Sequence, residues 1–303
     1  MRGAIQFLQS VEQRVARYIG LRLEERDVLI IGPGQGSTEM AFFGVKNRVV
    51  GIDLDVIARG FSLSAYLAML RRNGPTRMIK TLARKCLGLD ALAARELKKQ
   101  LGIRRFPSTS LRQMDAARMA FPDASFDFVY TFAVFEHIPK PDAAIQEIVR
   151  VLRPGGACYI SLHLYTSEGG CHDPRVFADD PQRPPYWAHL RPQHREKVQP
   201  NAYLNELRLA EWHRLFQEHM PGVQFETDGF HQELHERLSA ELSRIRANGE
   251  LQDYADEELL SVNLIAIWRK PAQEIEVTGQ AVCRAVERDT PAAAPVAQSA
   301  GKS

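Results

Sequence analysis

The groups of this chain whose spacing could do chemistry are a glycine cluster, a few carboxylates and a scatter of histidines. Gly32, Gly34 and Gly36 lie within VLIIGPGQGSTEM, Val28 to Met40. Lacking a Cβ, glycines let a backbone come close to a ligand, and N–H groups at a helix start favour electron-rich ligand atoms. Asp53 then closes the apolar run VVGID, about 20 residues on, where an acidic side chain can accept from both ribose hydroxyls. Asp55 competes for that role, a carboxylate there can instead cap a helix, and a structural tight turn also explains the glycines. Together the two signals point to a nucleoside-containing cofactor. A dinucleotide fingerprint, GxGxxG, would place its last glycine at position 37, which is Ser37, so a nicotinamide cofactor is disfavoured.

His163 closes a second apolar run, ISLH, and His172-Asp173 follows in a glycine-bearing loop. His189 and His194 lie further along the same polar stretch. The spacing of these four histidines matches no zinc pattern, so no metal is expected. The four cysteines (Cys86, Cys158, Cys171 and Cys283) are far apart and form no CxxC. Free thiols in a reducing compartment are the simplest reading.

These residues need elements to position them. Ile5, Leu8, Val11, Val15 and Ile19 form a stripe that predicts a helix over Ala4 to Tyr18. Strands are expected at 28–31, 49–53, 111–114, 126–132, 157–164, 223–227 and 260–268. Helices are expected at 142–152, 207–219 and 231–247, with Arg153-Pro154-Gly155-Gly156 stopping the first of them. Residues 54–105 read as a broken helical stretch. Residues 165–206 read as a polar loop, and 271–303 as a disordered, Ala/Pro/Thr-rich tail. Strands alternating with helices imply an α/β fold with a mostly parallel, doubly wound sheet. Ligands of such sheets sit outside the carboxyl ends of the strands, at the switch point.

GxGxG resembles the S-adenosylmethionine (SAM) turn of class I methyltransferases, and the resemblance becomes specific downstream. Asp115-Ala116, Phe121-Pro122-Asp123, Ser125-Phe126-Asp127, Glu136-His137-Ile138 and Arg150 to Gly156 follow in that superfamily's order. The likeness covers roughly Asp27 to Leu164, is interrupted by the helical insertion, and resumes at the last strand. It implies a Rossmann-like seven-stranded sheet with an antiparallel last strand, a methyltransferase domain over 1–270 and SAM as cofactor. It also implies that Gly32 and Gly34 pack on the methionine part, Asp53 on the ribose, and Asp115 and Ala116 on the adenine, with Phe132 lining the cleft. Many members carry an acidic residue two positions before the first glycine. Here it is Ile30, with Glu39 the nearest substitute, which leaves room for a catalytically silent scaffold.

An oxygen acceptor usually needs a base. His172 oriented by Asp173 is the first choice and His189 the second. Each is equally readable as part of a solvated loop. Glu136-His137 resembles the metal-binding segment of ubiquinone-pathway O-methyltransferases, but their further Glu is Ala133 here, and the pair can simply order a helix start. The loop resembles one in methyltransferases of bacterial glycan and secondary-metabolite pathways. That favours a sugar, glycan or other small-molecule acceptor, with nitrogen or carbon acceptors still open.

A net charge of +2 over 303 residues demands no nucleic acid. The start of the chain lacks a signal peptide's apolar core, and no apolar run approaches the roughly 18 residues of a membrane span. A cytoplasmic protein is expected. Eleven basic residues fall between Arg71 and Arg105, opposed only by Asp90 and Glu96. That insertion could touch an anionic membrane surface or cover the acceptor, or pack on its own domain with its charges in water. Oligomeric state is not legible.

Overall fold

Apolar runs become strands and striped segments become helices over residues 2–34, 38–55, 88–178 and 180–272, which the computed structural model describes. The strands are β1 (Asp27–Ile31), β2 (Arg48–Asp53), β3 (Ser110–Gln113), β4 (Phe126–Phe132), β5 (Leu152–His163), β6 (Gln224–Gly229) and β7 (Ser261–Arg269). They form one seven-stranded sheet in the order β3-β2-β1-β4-β5-β7-β6. Only β7 runs against its neighbours, pairing antiparallel with both β5 and β6. This is the doubly wound architecture with an antiparallel last strand that the sequence predicts. The chain leaves β1 toward β2 and β3 on one side and returns to β4 on the other, so the switch point lies between β1 and β4.

Both faces of the sheet are covered, which is why β1 reads as an unbroken apolar run. On one face, α1 (Arg2–Ile19) places Leu8, Val11 and Val15 against Val28, Ile30, Phe128 and Tyr159. α2 (Thr38–Gly44) adds Met40 and Phe43 to that layer. Burying each such side chain contributes about 1.5–3 kcal/mol, so the α1 stripe is enough to dock this helix. Arg14 reinforces it, donating to Tyr159 Oη at 3.1 Å and Asp228 Oδ1 at 3.0 Å. Between β2 and β3 the described residues include α3 (Leu89–Leu101), whose Leu97 is buried with Ile5 and Ala41. The other face is covered by α4 (Pro141–Val151) and α5 (Leu209–His219), through Ile145, Ile148, Trp212 and Phe216. α6 (Gln232–Ala247) and the short α7 (Asp256–Leu260) join instead with Trp187 of the long loop, burying Leu238, Leu242 and Leu259.

One boundary differs from the sequence reading. β5 begins at Leu152 directly after α4, so Arg153 to Gly156 are the irregular start of a strand and not a separate stop. Arg153 is held there by Asp27 and Asp127, each at 2.8 Å. Most of the expected basic helical insertion (56–87) and nearly all of the expected tail (273–303) lie outside the described residues. Among the described residues, no helix is long and apolar enough to cross a membrane.

Candidate cofactor and acceptor site

The glycine turn leaves β1 at the switch point. Gly32 and Gly34 both have positive φ, +68° and +60°, a region that side chains with a Cβ rarely adopt. Gly32 also has no room for one, because a Cβ would lie 2.3 Å from Val134 Cγ2. The turn is therefore pressed against the segment that leaves β4. The Gly34 N–H donates to Asp53 Oδ2 at 3.3 Å, and the Asp55 N–H donates to Oδ1 at 2.9 Å. Asp53 thus joins the end of β2 to the turn after β1. Gly36 and Ser37 lie outside the described residues. Asp115 Oδ1 accepts from the Ala117 N–H at 2.9 Å, and Ala116 beside it is buried. Phe132 ends β4 with its ring edge-on to Phe7 of α1, 5.0 Å between centroids. Ile30 is core, 1% exposed. In the first turn of α2, burial raises the pKa of Glu39 above the usual carboxylate range.

Beyond Val134 the chain makes a tight turn, Phe135 to His137. Glu136 is 2% exposed, and neither carboxylate oxygen has a hydrogen-bond partner in good geometry among the described residues. Burial pushes its pKa up to about 7, opposed weakly by the backbone N–H groups of Glu136 and His163. His137 Nδ1 lies 2.7 Å from the Tyr203 carbonyl. A carbonyl can only accept, so Nδ1 carries a proton and donates it there.

His163 ends β5, next to β4. Successive turns then fold the chain back, with the Ser167, Gly170 and His172 N–H groups donating to Leu164, Ser167 and Gly169. Gly170 is obligatory in them, since a Cβ would collide with the Tyr165 carbonyl oxygen at 2.2 Å. The return brings His172 Nε2 to 3.0 Å from His163 Nδ1, and its ring centroid to 4.9 Å from that of His137. His172 itself has φ +50°. Burial first, then His163 and His137, lower its pKa to about 4, so the imidazole is neutral at pH 7. The 201–205 segment clamps the assembly. Asn201 N–H donates to the His172 carbonyl at 3.2 Å, and Asn205 N–H to that of Glu136 at 2.9 Å. Asn205 Nδ2 also donates to Phe135 and Ile138.

Two residues expected beside this cluster are engaged elsewhere. Asp173 does not orient His172. Its buried carboxylate accepts from Arg175 Nη2 at 2.6 Å, Arg175 Nε at 3.0 Å and the Gln199 N–H at 2.8 Å. Arg175 chiefly holds its pKa down at about 2. His189 is 4% exposed, and its Nε2 donates to the Tyr165 carbonyl at 2.8 Å. Burial lowers its pKa to about 4. Both serve as struts of the loop. Glu136 and the Tyr203 carbonyl enter the cluster in their stead. The doublet Glu136-His137 was visible as a pair, but nothing in the spacing announces the Tyr203 carbonyl.

Comparisons with known proteins bear on this edge of the sheet. A methyltransferase-domain family model matches residues 73–160. Phosphatidylethanolamine N-methyltransferase of Cereibacter sphaeroides is 32% identical over 113 residues, 37% of this chain and 50% of that protein. Sterol 24-C-methyltransferase erg-4 of Neurospora crassa is 50% identical over 52 residues, 17% of this chain and 14% of that one. The chain thus spans half or less of the length of these relatives. Among solved structures, Haemonchus contortus phosphoethanolamine N-methyltransferase 2, in complex with SAM, superposes with a TM-score of 0.45 at 16% identity. The match covers 86% of this chain and 52% of that one. The YcgJ protein of Bacillus subtilis superposes with a TM-score of 0.42 at 16% identity, covering 88% and 99%. Residues 73–160 are thus similar to a methyltransferase domain, and these relatives carry methyltransferase names.

Proposed function

We propose that this chain binds SAM at the β1/β4 switch point and transfers its methyl group to an oxygen of a small-molecule acceptor, of the sugar or glycan kind. The observation that carries the reading is the joined pair of turn and carboxylate. Asp53 stands at the end of β2 and holds the Gly34 N–H at 3.3 Å, in a turn too crowded at Gly32 for any side chain. This fits a nucleoside cofactor, with the carboxylate for the ribose and bare backbone for the methionine part. Asp115 and Ala116 are the adenine side, and Glu39 replaces the acidic residue missing at Ile30.

Bound SAM supplies a methyl group on a sulfonium, which an in-line nucleophile displaces as the C–S electron pair returns to sulfur. The chain must then hold the acceptor on that line and exclude water. The Glu136, His137 and His172 side chains, which follow β4 and β5 beside the turn, form the polar seat for it. The acceptor's hydroxyl proton departs on that side. A second reading is favoured by the first relative above, whose name is that of a phospholipid amine methyltransferase. There the nucleophile is a nitrogen.

The test is calorimetric titration of SAM and S-adenosylhomocysteine, followed by transfer of labelled methyl from SAM to two acceptor panels. One panel holds sugars and glycans, the other vesicles containing ethanolamine phospholipids. Label on oxygen supports the first reading and label on nitrogen the second. SAM binding without transfer to either panel favours a silent scaffold, and absence of SAM binding overturns both enzyme readings.

A further inference from the structure

We propose that Glu136, His137 and His172 form a binding site for one divalent first-row transition cation such as zinc, with His163 supporting His172 from behind. One ligand atom from each of the three residues lies within 4.8 Å of the others. His137 Nε2 stands 4.0 Å from Glu136 Oε1. Metal–ligand bonds near 2.1 Å place neighbouring tetrahedral ligands about 3.4 Å apart, so small side-chain rotations close the set.

Three independent features of this cluster point to an ion. The first is Glu136, a carboxyl group 2% exposed whose oxygens have no hydrogen-bond partner in good geometry among the described residues. A buried polar group left unsatisfied is costly and calls for an explanation. A cation between it and the two imidazoles supplies one. The second is the supporting shell. A ligating histidine commonly donates its other ring N–H to a carbonyl or similar acceptor, which fixes the tautomer. His137 does this to Tyr203, leaving Nε2 toward Glu136. His163 engages one ring nitrogen of His172 in the same manner. The third is the backbone. His172 has φ +50° and Ala133, just before the turn, has φ +53°. Side chains with a Cβ rarely adopt that region, and such strain gathers at functional positions.

Two imidazoles with one carboxylate suit zinc and its neighbours better than magnesium or calcium. Three protein ligands leave a coordination position open, as in sites that act on a substrate. Resting on the methyltransferase reading above, that position would take the acceptor's hydroxyl oxygen. Bound oxygen loses its proton more readily. The proton would pass to solvent, and the oxygen lone pair would then attack the methyl carbon.

The test uses the full untagged chain, stripped with chelator and desalted. Zinc is titrated against a chromogenic competitor, retained zinc is counted by mass spectrometry, and Co2+ is added separately to follow its visible absorption. The expected result is one equivalent retained in the wild type. Retention is lost in Glu136→Gln and in His172→Ala, and affinity falls tenfold to a hundredfold in His163→Ala, as for a supporting-shell residue. His194→Ala, at a half-buried histidine outside the cluster, retains the full equivalent. Circular dichroism and SAM titration of each variant separate a lost ligand from a lost fold. If both ligand variants unfold, His163→Ala and the cobalt spectrum of the wild type decide. Less than stoichiometric zinc in the wild type, or full retention in a folded His172→Ala, overturns the proposal. Because zinc binding is read without cofactor or acceptor, a chain that holds zinc but not SAM refutes the methyltransferase reading alone.

Discussion

Gly32 and Val134 are in such close contact that not even one methyl group fits between the turn after β1 and the turn after β4. A Cβ on Gly32 would lie 2.3 Å from Val134 Cγ2 at a backbone φ of +68°. Gly32→Ala therefore carries two penalties. The left-handed conformation costs roughly 1–2 kcal/mol, and overpacking typically adds about 1–3 kcal/mol. Adding Val134→Ala removes the second penalty and leaves the first. Urea unfolding of the two single variants and the double variant should give a non-additive cycle, with the double variant more stable than Gly32→Ala. An additive cycle would mean that the two turns do not press on each other.

Asp53 has two duties, one to the turn and one to the cofactor, and two substitutions separate them. Loss of a charge-assisted hydrogen-bond pair to the ribose should weaken SAM by about 1.5–3 kcal/mol, tenfold to over a hundredfold, in Asp53→Ala. Asp53→Asn keeps the shape and one acceptor oxygen but loses the second, so only one of the Gly34 and Asp55 N–H groups keeps its partner. Its unfolding midpoint should fall less than that of Asp53→Ala while its affinity falls. Calorimetry with SAM reads this directly. Wild-type affinity in Asp53→Asn would remove the ribose role and leave Asp53 as a turn residue.

How much of this was legible in the sequence follows from the range of the interactions. The β1 turn and Asp53 are neighbours across one parallel strand pair, and apolar runs fix that pairing. Strand spacing therefore sufficed to locate both. Arg153 to Gly156 were harder, because glycines that end a helix and glycines that bulge a strand look alike until Asp27 and Asp127 are seen to grip Arg153. The histidine cluster was the least legible. His172 reaches His163 only because consecutive turns with an obligatory Gly170 reverse the chain. The same loop conceals which partner Asp173 takes. Adjacency suggested His172, yet Arg175, two residues further on, has the longer reach and the opposite charge.

Asp173 is accordingly expected to behave as a structural residue. Its carboxylate is fully buried and bound by two Arg175 nitrogens and two backbone N–H groups. Removing the carboxylate leaves partly exposed Arg175 its bonds to the Gln182 and Lys197 carbonyls. Two backbone N–H groups lose their acceptor, at roughly 1–3 kcal/mol. Asp173→Ala should lose stability on that scale in urea unfolding. The 165–206 loop should become the first site of limited proteolysis. A variant with the stability of the wild type and an intact loop would reopen the reading in which Asp173 serves His172.

The opposite edge of the sheet offers a pH test that leaves the site alone. At the amino ends of β1, β4 and β5, Asp27 accepts from Arg48 Nε at 2.6 Å and from Arg153 Nη1 at 2.8 Å, and Arg153 also reaches Asp127. Hydrogen bonding to Arg48 is the main cause that holds the Asp27 pKa below its ordinary 3.8, against a smaller cost of burial. The folded chain therefore releases this proton at lower pH than the unfolded chain. Linkage then makes the contribution complete above 3.8 and diminishing as the pH falls through the lower folded value. Asp27→Asn should lower stability at neutral pH and lessen its fall between about pH 5 and pH 2. The variant and wild-type stabilities should converge at the acid end. SAM affinity at neutral pH should not change, since Asp27 begins the strand whose far end carries the glycine turn. Parallel acid limbs for the two proteins would show that this network is too well solvated to couple to folding.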